Sequence, residues 1–424
     1  MKRRHQVVLF AVLLLSLTIL SPSFDFRGSQ HNQERNQEND TYPGTLSRAD
    51  DTRAPLNVTV SMSKEEFAAF EKLAEEVAAS RYVEINLRNV EPGEYNDVLD
   101  QEFSLGENGD VILLENDQVQ LYAKKGYLLP LNGTQLSKSI GETVAELRAI
   151  TEWNGYQWGQ PFDFDPYVMG VRTSFLNKAG LHMFPNNKEQ WSKLIQEAQA
   201  EDTALISLGM GDIEAANVWL SYLPPGMSPD QVLRSQSVST AGELQRGIRL
   251  LSELQPYITL TADVPVVSAS NYNVKTPMFV TTLSRMLDED ESAQDGATIR
   301  ASISLEPLQA VKSRTLVITA GSAETDAASR WIEGMTSAAI QTKWYVQTKR
   351  LSARQQEQNQ QASQVQARYD AQLEPLWFSK EDNPLQLAER QTMPVRFRKQ
   401  VRQVLQGEIS AAQYVNSIRN AINP

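Results

Sequence analysis

Asp163 and Asp165 stand two residues apart in the segment Gln160-Pro161-Phe162-Asp163-Phe164-Asp165-Pro166-Tyr167. In extended chain, residues i and i+2 share a face, so the two carboxylates could serve one bound molecule. Two acids flanking one glycosidic bond at the right separation could hydrolyse it. Two acids beside sugar hydroxyls could instead accept their hydrogen bonds. Glu115-Asn116-Asp117 offers a second polar group at the end of an apolar run. There Asp117 could contact a ligand or cap the helix that follows. Aromatic rings form a third set: Trp153, Tyr156 and Trp158 before the aspartates, Trp219 and Tyr222 three apart, and Trp377 beside Phe378. Such rings stack on the apolar faces of sugars or fill a core.

Composition removes other chemistries. The chain has no cysteine, so disulfides, thiol nucleophiles and thiolate metal sites are excluded. Of its three histidines, His5 and His31 lie near the N-terminus, leaving His182 alone further in. One histidine cannot build a His-rich zinc site, and His182 reads as structural. No P-loop, HExxH or GxSxG pattern occurs, and Gly209-Met210-Gly211 lacks the third glycine of a dinucleotide fingerprint. Asp288-Glu289-Asp290-Glu291 lacks the glycine and terminal acid of a calcium loop and reads as a solvated acidic loop. No cofactor or metal is implied. The formal charge of −12 argues against nucleic acid or an anionic membrane surface as the main partner.

The elements that must position these groups alternate between strand and helix. Leu56–Val60 alternates like a strand. Ser63 to Glu66 forms a capping box, and the helix after it places Phe67, Phe70, Leu73, Ala74 and Val77 on one face. Residues 83–87 alternate again, and Asp110 to Leu114 is apolar enough for a buried parallel strand. Ser61, after the first strand, and Glu115, Asn116 and Asp117, after the third, occupy strand ends, where open α/β sheets bind ligands. Further on, 166–173 predicts a strand, 187–200 a helix, 204–208 a buried strand, and 213–222 and 241–254 helices. A late strand over 314–319 and a helix over 325–336 follow. Gln355 to Gln372 reads as a solvated helix or loop, and 411–422 as an amphipathic helix. Strand–helix–strand order of this kind implies an α/β architecture.

The N-terminus carries Lys2, Arg3 and Arg4 before an apolar stretch from Val7 to Leu20, the pattern of a secretory leader. Residues 1–24 therefore read as a signal peptide, cleaved or kept as an anchor, that places the rest outside the cytoplasm. Residues 25–54 are polar and read as a disordered tether.

Several segments together resemble the family 1 extracellular solute-binding proteins of ABC importers, the group that includes the maltose-binding proteins. They are Gly109 to Asp117 continuing through Tyr122-Ala123-Lys124-Lys125-Gly126-Tyr127-Leu128-Leu129-Pro130-Leu131, then Gly159-Gln160-Pro161 leading to Phe175-Leu176-Asn177-Lys178-Ala179-Gly180-Leu181. Pro185 with Gln190-Trp191-Ser192-Lys193-Leu194, and Val404-Leu405-Gln406-Gly407-Glu408-Ile409-Ser410, complete the set. The lipobox cysteine usual in Gram-positive members is absent, and Val171-Arg172-Thr173 stands where the family has Tyr-Asn-Lys.

The resemblance implies a two-lobed periplasmic-binding-protein-like (class II) α/β fold with hinge crossings. Lobe 1 would take residues 55–162 and 303–343, and lobe 2 residues 163–302 and 344–424. A small solute, a sugar or oligosaccharide, would sit in the cleft for delivery to an ABC permease by a monomeric, non-catalytic subunit. Asp117 and Asp165 match positions that contact sugar in maltose-binding members. Asp163 and Tyr167 on the first crossing, and Trp219, Tyr222 and Trp377, would join them. Two alternatives stay open: a sensor or co-receptor of a membrane kinase on the same fold, and a secreted hydrolase using Asp163 and Asp165.

Overall fold

The computed structural model describes residues 54–131, 136–182, 184–209, 212–224, 226–238, 241–261, 276–292, 301–304, 311–369 and 396–421. The leader, the tether up to residue 53 and Trp377 lie outside the described residues. Residues Arg53–Pro424 form one compact unit.

The first part of the chain alternates β1 (Leu56–Val60), α1 (Lys64–Arg81), β2 (Ile85–Asn89), α2 (Tyr95–Leu105), β3 (Val111–Glu115) and α3 (Asn116–Lys124). Short helices α4 (Ser137–Gly141) and α5 (Ala145–Ile150) lead to a hairpin of β4 (Glu152–Trp153) and β5 (Tyr156–Gln157). One long strand, β6 (Gln160–Arg172), then carries the chain onward. Next come α6 (Thr173–Lys178), α7 (Lys188–Ala200), β7 (Ile206–Gly209), α8 (Ile213–Ser221), α9 (Pro229–Val238), α10 (Ala241–Leu254), β8 (Ile258–Thr261), β9 (Met278–Thr282) and α11 (Leu283–Ser292). The remainder is β10 (Ala301–Ser304), β11 (Val311–Ile318), α12 (Thr325–Met335), α13 (Ala338–Thr348), β12 (Leu351–Ser352), α14 (Gln355–Tyr369), α15 (Arg398–Leu405) and α16 (Ala411–Asn420).

The capping box forms as its residues dictate: the Ser63 hydroxyl accepts from the Glu66 N–H, and the Glu66 carboxylate accepts from the Ser63 N–H. One expected loop is helical instead. Asp288–Glu291 lies inside α11, whose first residues Leu283, Met286 and Leu287 are anchored in a core. The Gln-rich stretch is α14, and it is not merely solvated. Ala362 and Val365 are buried, and Gln361 accepts from the Ser352 N–H at 2.8 Å.

The sheet runs β2-β1-β3-β11-β6-β9-β7-β8, with β10 and β12 also paired to β6. β1, β2 and β3 are mutually parallel, as are β7, β8 and β9, while β11 and β6 are antiparallel to their neighbours. β6 belongs to both ends. Its residues 160–166 pair with β11, and its residues 167–172 pair with β9 and β10. Gly159 admits the close approach at its entrance: a Cβ there would lie 2.2 Å from Thr315 Cγ2 and 2.8 Å from Val317 Cγ1.

Four apolar clusters follow from this order. The first packs α1, α12 and α13 on β1, β3 and β11, with Phe70 edge-on to Phe162, Trp331 and Trp344. A second, around Tyr95, Leu99, Ile112 and Leu114, covers the opposite face. A large third one joins Trp191, Trp219, Leu251 and Met278 to Val401, Tyr414 and Ile418 from the end of the chain. The fourth gathers Val144, Phe164, Val168, Phe279, Leu287 and Leu351 around β6 itself.

Candidate functional site

Register alone brings the strand ends together. The last residue of β3, Glu115, pairs with Arg314, and Arg314 pairs with Asp163. The last residue of β9, Thr282, pairs with Tyr167. The carboxyl ends of the two parallel groups therefore approach the same short piece of β6, residues 163–167. In open α/β sheets ligands bind beyond such ends.

Glu115 and Asp117 occupy the first of these ends. Both side chains are exposed, with part of their hydration taken by neighbouring groups. Loss of water pushes the Glu115 carboxyl up to about 7, with Asp117 adding to the rise and Arg314, Arg350 and Lys312 opposing it. The Asp117 carboxyl is also raised by loss of water, against its own and Gln118's backbone N–H groups at the start of α3. Its helix-terminal position thus coexists with a place at the strand end. Asn116 is buried, its side-chain oxygen accepting from Thr315 Oγ1 at 2.5 Å while its Nδ2 has no partner. Ser61 is half-buried just after β1.

The second end is organised by Asp212. It caps α8, accepting from the Ala215 N–H at 3.2 Å. The Tyr167 hydroxyl reaches the same carboxylate, and Lys312 approaches it at 3.5 Å while lying 5.2 Å from the Tyr167 ring centre. In the first turn of α8, Glu214 is pushed up to about 8, first by loss of water and then by Asp212 and Asp117, with Lys312 and Arg398 opposing. The charge of Asp117, beyond β3, is thus felt at Glu214, beyond β7. The two strand ends are near enough for their charges to interact.

Beneath them lies a buried ion cluster. Asp163 is fully buried and accepts from Arg314 through Nε at 3.0 Å and through a terminal nitrogen. It also accepts from Arg350 at 3.0 Å and from Trp344 Nε1 at 2.8 Å. Burial alone would raise this carboxyl, but the two guanidiniums outweigh it and hold it at about 2. Asp165, also buried, accepts from the Ser284 N–H at 2.9 Å, the Ser284 hydroxyl at 2.6 Å and Arg350 at 3.3 Å.

These contacts redistribute the residues singled out by sequence. Asp163 and Asp165 spend their oxygens on arginine and serine, so the paired-carboxylate chemistry expected of them has no geometry to support it. Trp219 is fully buried in the core, not lining a strand end. Tyr222 is half-buried against Phe184, ring centres 5.3 Å apart. Trp153, Tyr156 and Trp158 form a ring cluster on the β4–β5 hairpin. His182 is exposed in a turn. Sequence reasoning missed Asp212, Glu214, Lys312 and Arg350. A signal for Asp212 existed: like Glu115, it follows an apolar strand and precedes a helix.

The family model for bacterial extracellular solute-binding proteins matches residues 63–342, well over half the chain. This chain belongs to that family. The sequence alone matches no curated protein. Among solved structures, this solute-binding protein is similar to the GacH receptor of Streptomyces glaucescens, solved unliganded and with acarbose (19% identity, TM-score 0.63, covering 87% of this chain and 98% of that one). It is similar to an ABC-transporter solute-binding protein of Thermotoga lettingae bound to α-D-tagatose (14%, 0.66, 87% and 98%). It is similar too to the sugar-binding protein MalE of Xanthomonas citri (15%, 0.65, 87% and 96%). The fold is thus the two-lobed one of periplasmic solute-binding proteins, as the residue patterns led us to expect.

Proposed function

We propose that this solute-binding protein captures a sugar or oligosaccharide outside the cytoplasm and hands it to an ABC permease, without breaking any bond in it. The observation that carries the reading is the meeting of polar groups from two sets of strand ends, Glu115 and Asp117 with Asp212, Glu214 and Lys312. Carboxylates accept two or more hydroxyl hydrogen bonds each, and a lysine donates to sugar oxygens. The described structural relatives that carry a ligand hold carbohydrates, which agrees with this lining.

In this reading lobe 1 comprises residues 55–162 and 303–343, and lobe 2 residues 163–302 and 344–424, with β6 as the crossing. Ligand would close the lobes by contacts that only the closed state makes. The apolar N-terminal segment supplies export, and the binding subunit works as a monomer.

A thermal-shift panel of mono- and oligosaccharides tests the proposal. A sugar at 100 times its Kd stabilises the fold by about 2.7 kcal/mol. A panel in which no sugar shifts the melt while an amino acid, peptide or polyol does so overturns it.

A further inference from the structure

Among the described residues, three passages of chain link the two ends of the sheet: β6, β11, and the stretch from α13 into β12. All three enter the buried ion cluster. Asp163 and Asp165 come from β6, Arg314 from β11, and Arg350 from the residue just before β12. Arg350 also donates to the Lys312 carbonyl on β11 at 3.2 Å. The cluster is tied outward on both sides. Glu66, in the first turn of α1, lies 3.4 Å from Arg314. Asp165 holds Ser284 in the first turn of α11 through two hydrogen bonds. A continuous path of charge therefore runs from a helix of the first core, through every crossing, to a helix packed on β9.

One link in that path is an ion pair that lacks a hydrogen bond. Arg350 has three guanidinium nitrogens, and two of them are engaged. The third, Nε, is buried without a hydrogen-bond partner. Glu66 Oε1 lies 3.8 Å from it, an ion pair without a hydrogen bond. A hydrogen bond needs about 3 Å, so a shift of about 1 Å at the start of α1 would complete it. A buried charged donor without a hydrogen bond is unfavourable, which biases the assembly towards an arrangement that supplies one.

We infer that Glu66 and Arg350 form a hinge latch, open in this structure and closed in a second hinge state, so that lobe angle is set by residues that touch no ligand. Arg350 is then a positioning residue. It acts through Asp163 and Asp165, which hold two of its nitrogens while the third gains or loses a hydrogen bond to Glu66. Glu66 is the moving partner because its helix belongs to the first core, whereas Arg350 is held by β6 and β11. The inference rests on the two-lobed reading but not on the identity of the ligand.

The absence of any cysteine makes the test direct. Spin labels on Asp97→Cys in α2 and Gln196→Cys in α7, both exposed, report the lobe separation by pulsed electron resonance without ligand. Glu66→Gln keeps the shape and the helix cap but removes the charge. We expect the unsubstituted chain to show two distances and Glu66→Gln to lose the one that departs from this structure. Ser63→Ala, which removes the cap hydroxyl and leaves Glu66 intact, should keep both. Arg350→Lys retains the charge but not the Nε donor, and where it folds it should match Glu66→Gln. A Glu66→Gln distribution that superposes on the parent overturns the latch, as does a Ser63→Ala distribution that changes equally. A working latch in a protein that binds no sugar would leave this inference standing and remove the proposed ligand class. Sugar binding with an unshifted Glu66→Gln distribution would do the reverse.

Discussion

The Tyr167 hydroxyl sits 2.7 and 2.8 Å from the two carboxylate oxygens of Asp212, sharing its single proton between them. Tyr167 belongs to the crossing strand and Asp212 caps α8, so this contact fixes the start of a helix against the crossing. Burial and the Asp212 charge together raise the phenol well above its ordinary value, which keeps it a donor.

Tyr167→Phe removes that donor while the Asp212 cap on Ala215 remains. The expected cost is about 1.5–3 kcal/mol in urea unfolding, the worth of a hydrogen bond to a charged group. A sugar found by the panel should also bind more weakly, because α8 and Glu214 lose their anchor. Unchanged stability in Tyr167→Phe would show that the contact contributes nothing.

Asp163→Asn leaves Arg314 and Arg350 buried with too little negative charge. Breaking a buried pair from one side costs about 3–5 kcal/mol. The acid response has a definite sign. The folded carboxyl is held at about 2, below its ordinary 3.8, so its stabilisation is present above pH 4 and is lost as pH falls through 2. The gap corresponds to roughly 2 kcal/mol. Denaturant midpoints measured between pH 2 and 5 should fall in the parent and stay flatter in Asp163→Asn.

Glu214 acts in the opposite direction. Its folded carboxyl is raised from 4.5 to about 8, so it favours the fold below pH 4.5 and that contribution is lost as pH rises through 8. Glu214→Gln should change little at pH 5 and stabilise the protein at pH 9 by about 1–2 kcal/mol, the full shift being reduced by solvent. Equal midpoints for parent and variant at pH 9 would contradict the crowding of acids between the strand ends.

Gly159→Ala should destabilise by about 1–3 kcal/mol, the usual cost of overpacking. Its added carbon meets Thr315 and Val317 on β11, with the Leu316 carbonyl 3.1 Å away. Pairing Gly159→Ala with Thr315→Ser, which removes the nearer methyl, should recover part of the loss in the same melt.

How much of this was legible depended on distance along the chain. The Ser63 capping box, the apolar β3 and the helix at 241–254 are local patterns, and they formed where their residues placed them. The identity of the strand ends was also legible, since an acid following an apolar run marks Glu115 and, in hindsight, Asp212. Partners far apart in sequence were not. Asp163 meets Arg314 151 residues later and Arg350 187 residues later, and no spacing rule announces that a carboxylate will be consumed internally. Trp219 failed for a related reason: helical spacing puts a ring on a face but does not say whether that face meets core or cleft. The glutamines of α14 read as solvated because the buried hydrogen bond of Gln361 reaches back to Ser352 of β12, which composition does not reveal.

The first core also carries a consequence for synthesis. Leu56, Phe70 and Val111 are made early, but their partners Leu316, Trp331 and Trp344 are made some 200 residues later. A chain growing from its N-terminus exposes the apolar side of β1 and β3 until β11 arrives to cover β3's open edge. A nascent chain halted anywhere before residue 311 presents an unpaired strand flanked by an unfilled aromatic nest, a natural grip for a holding chaperone and a liability without one.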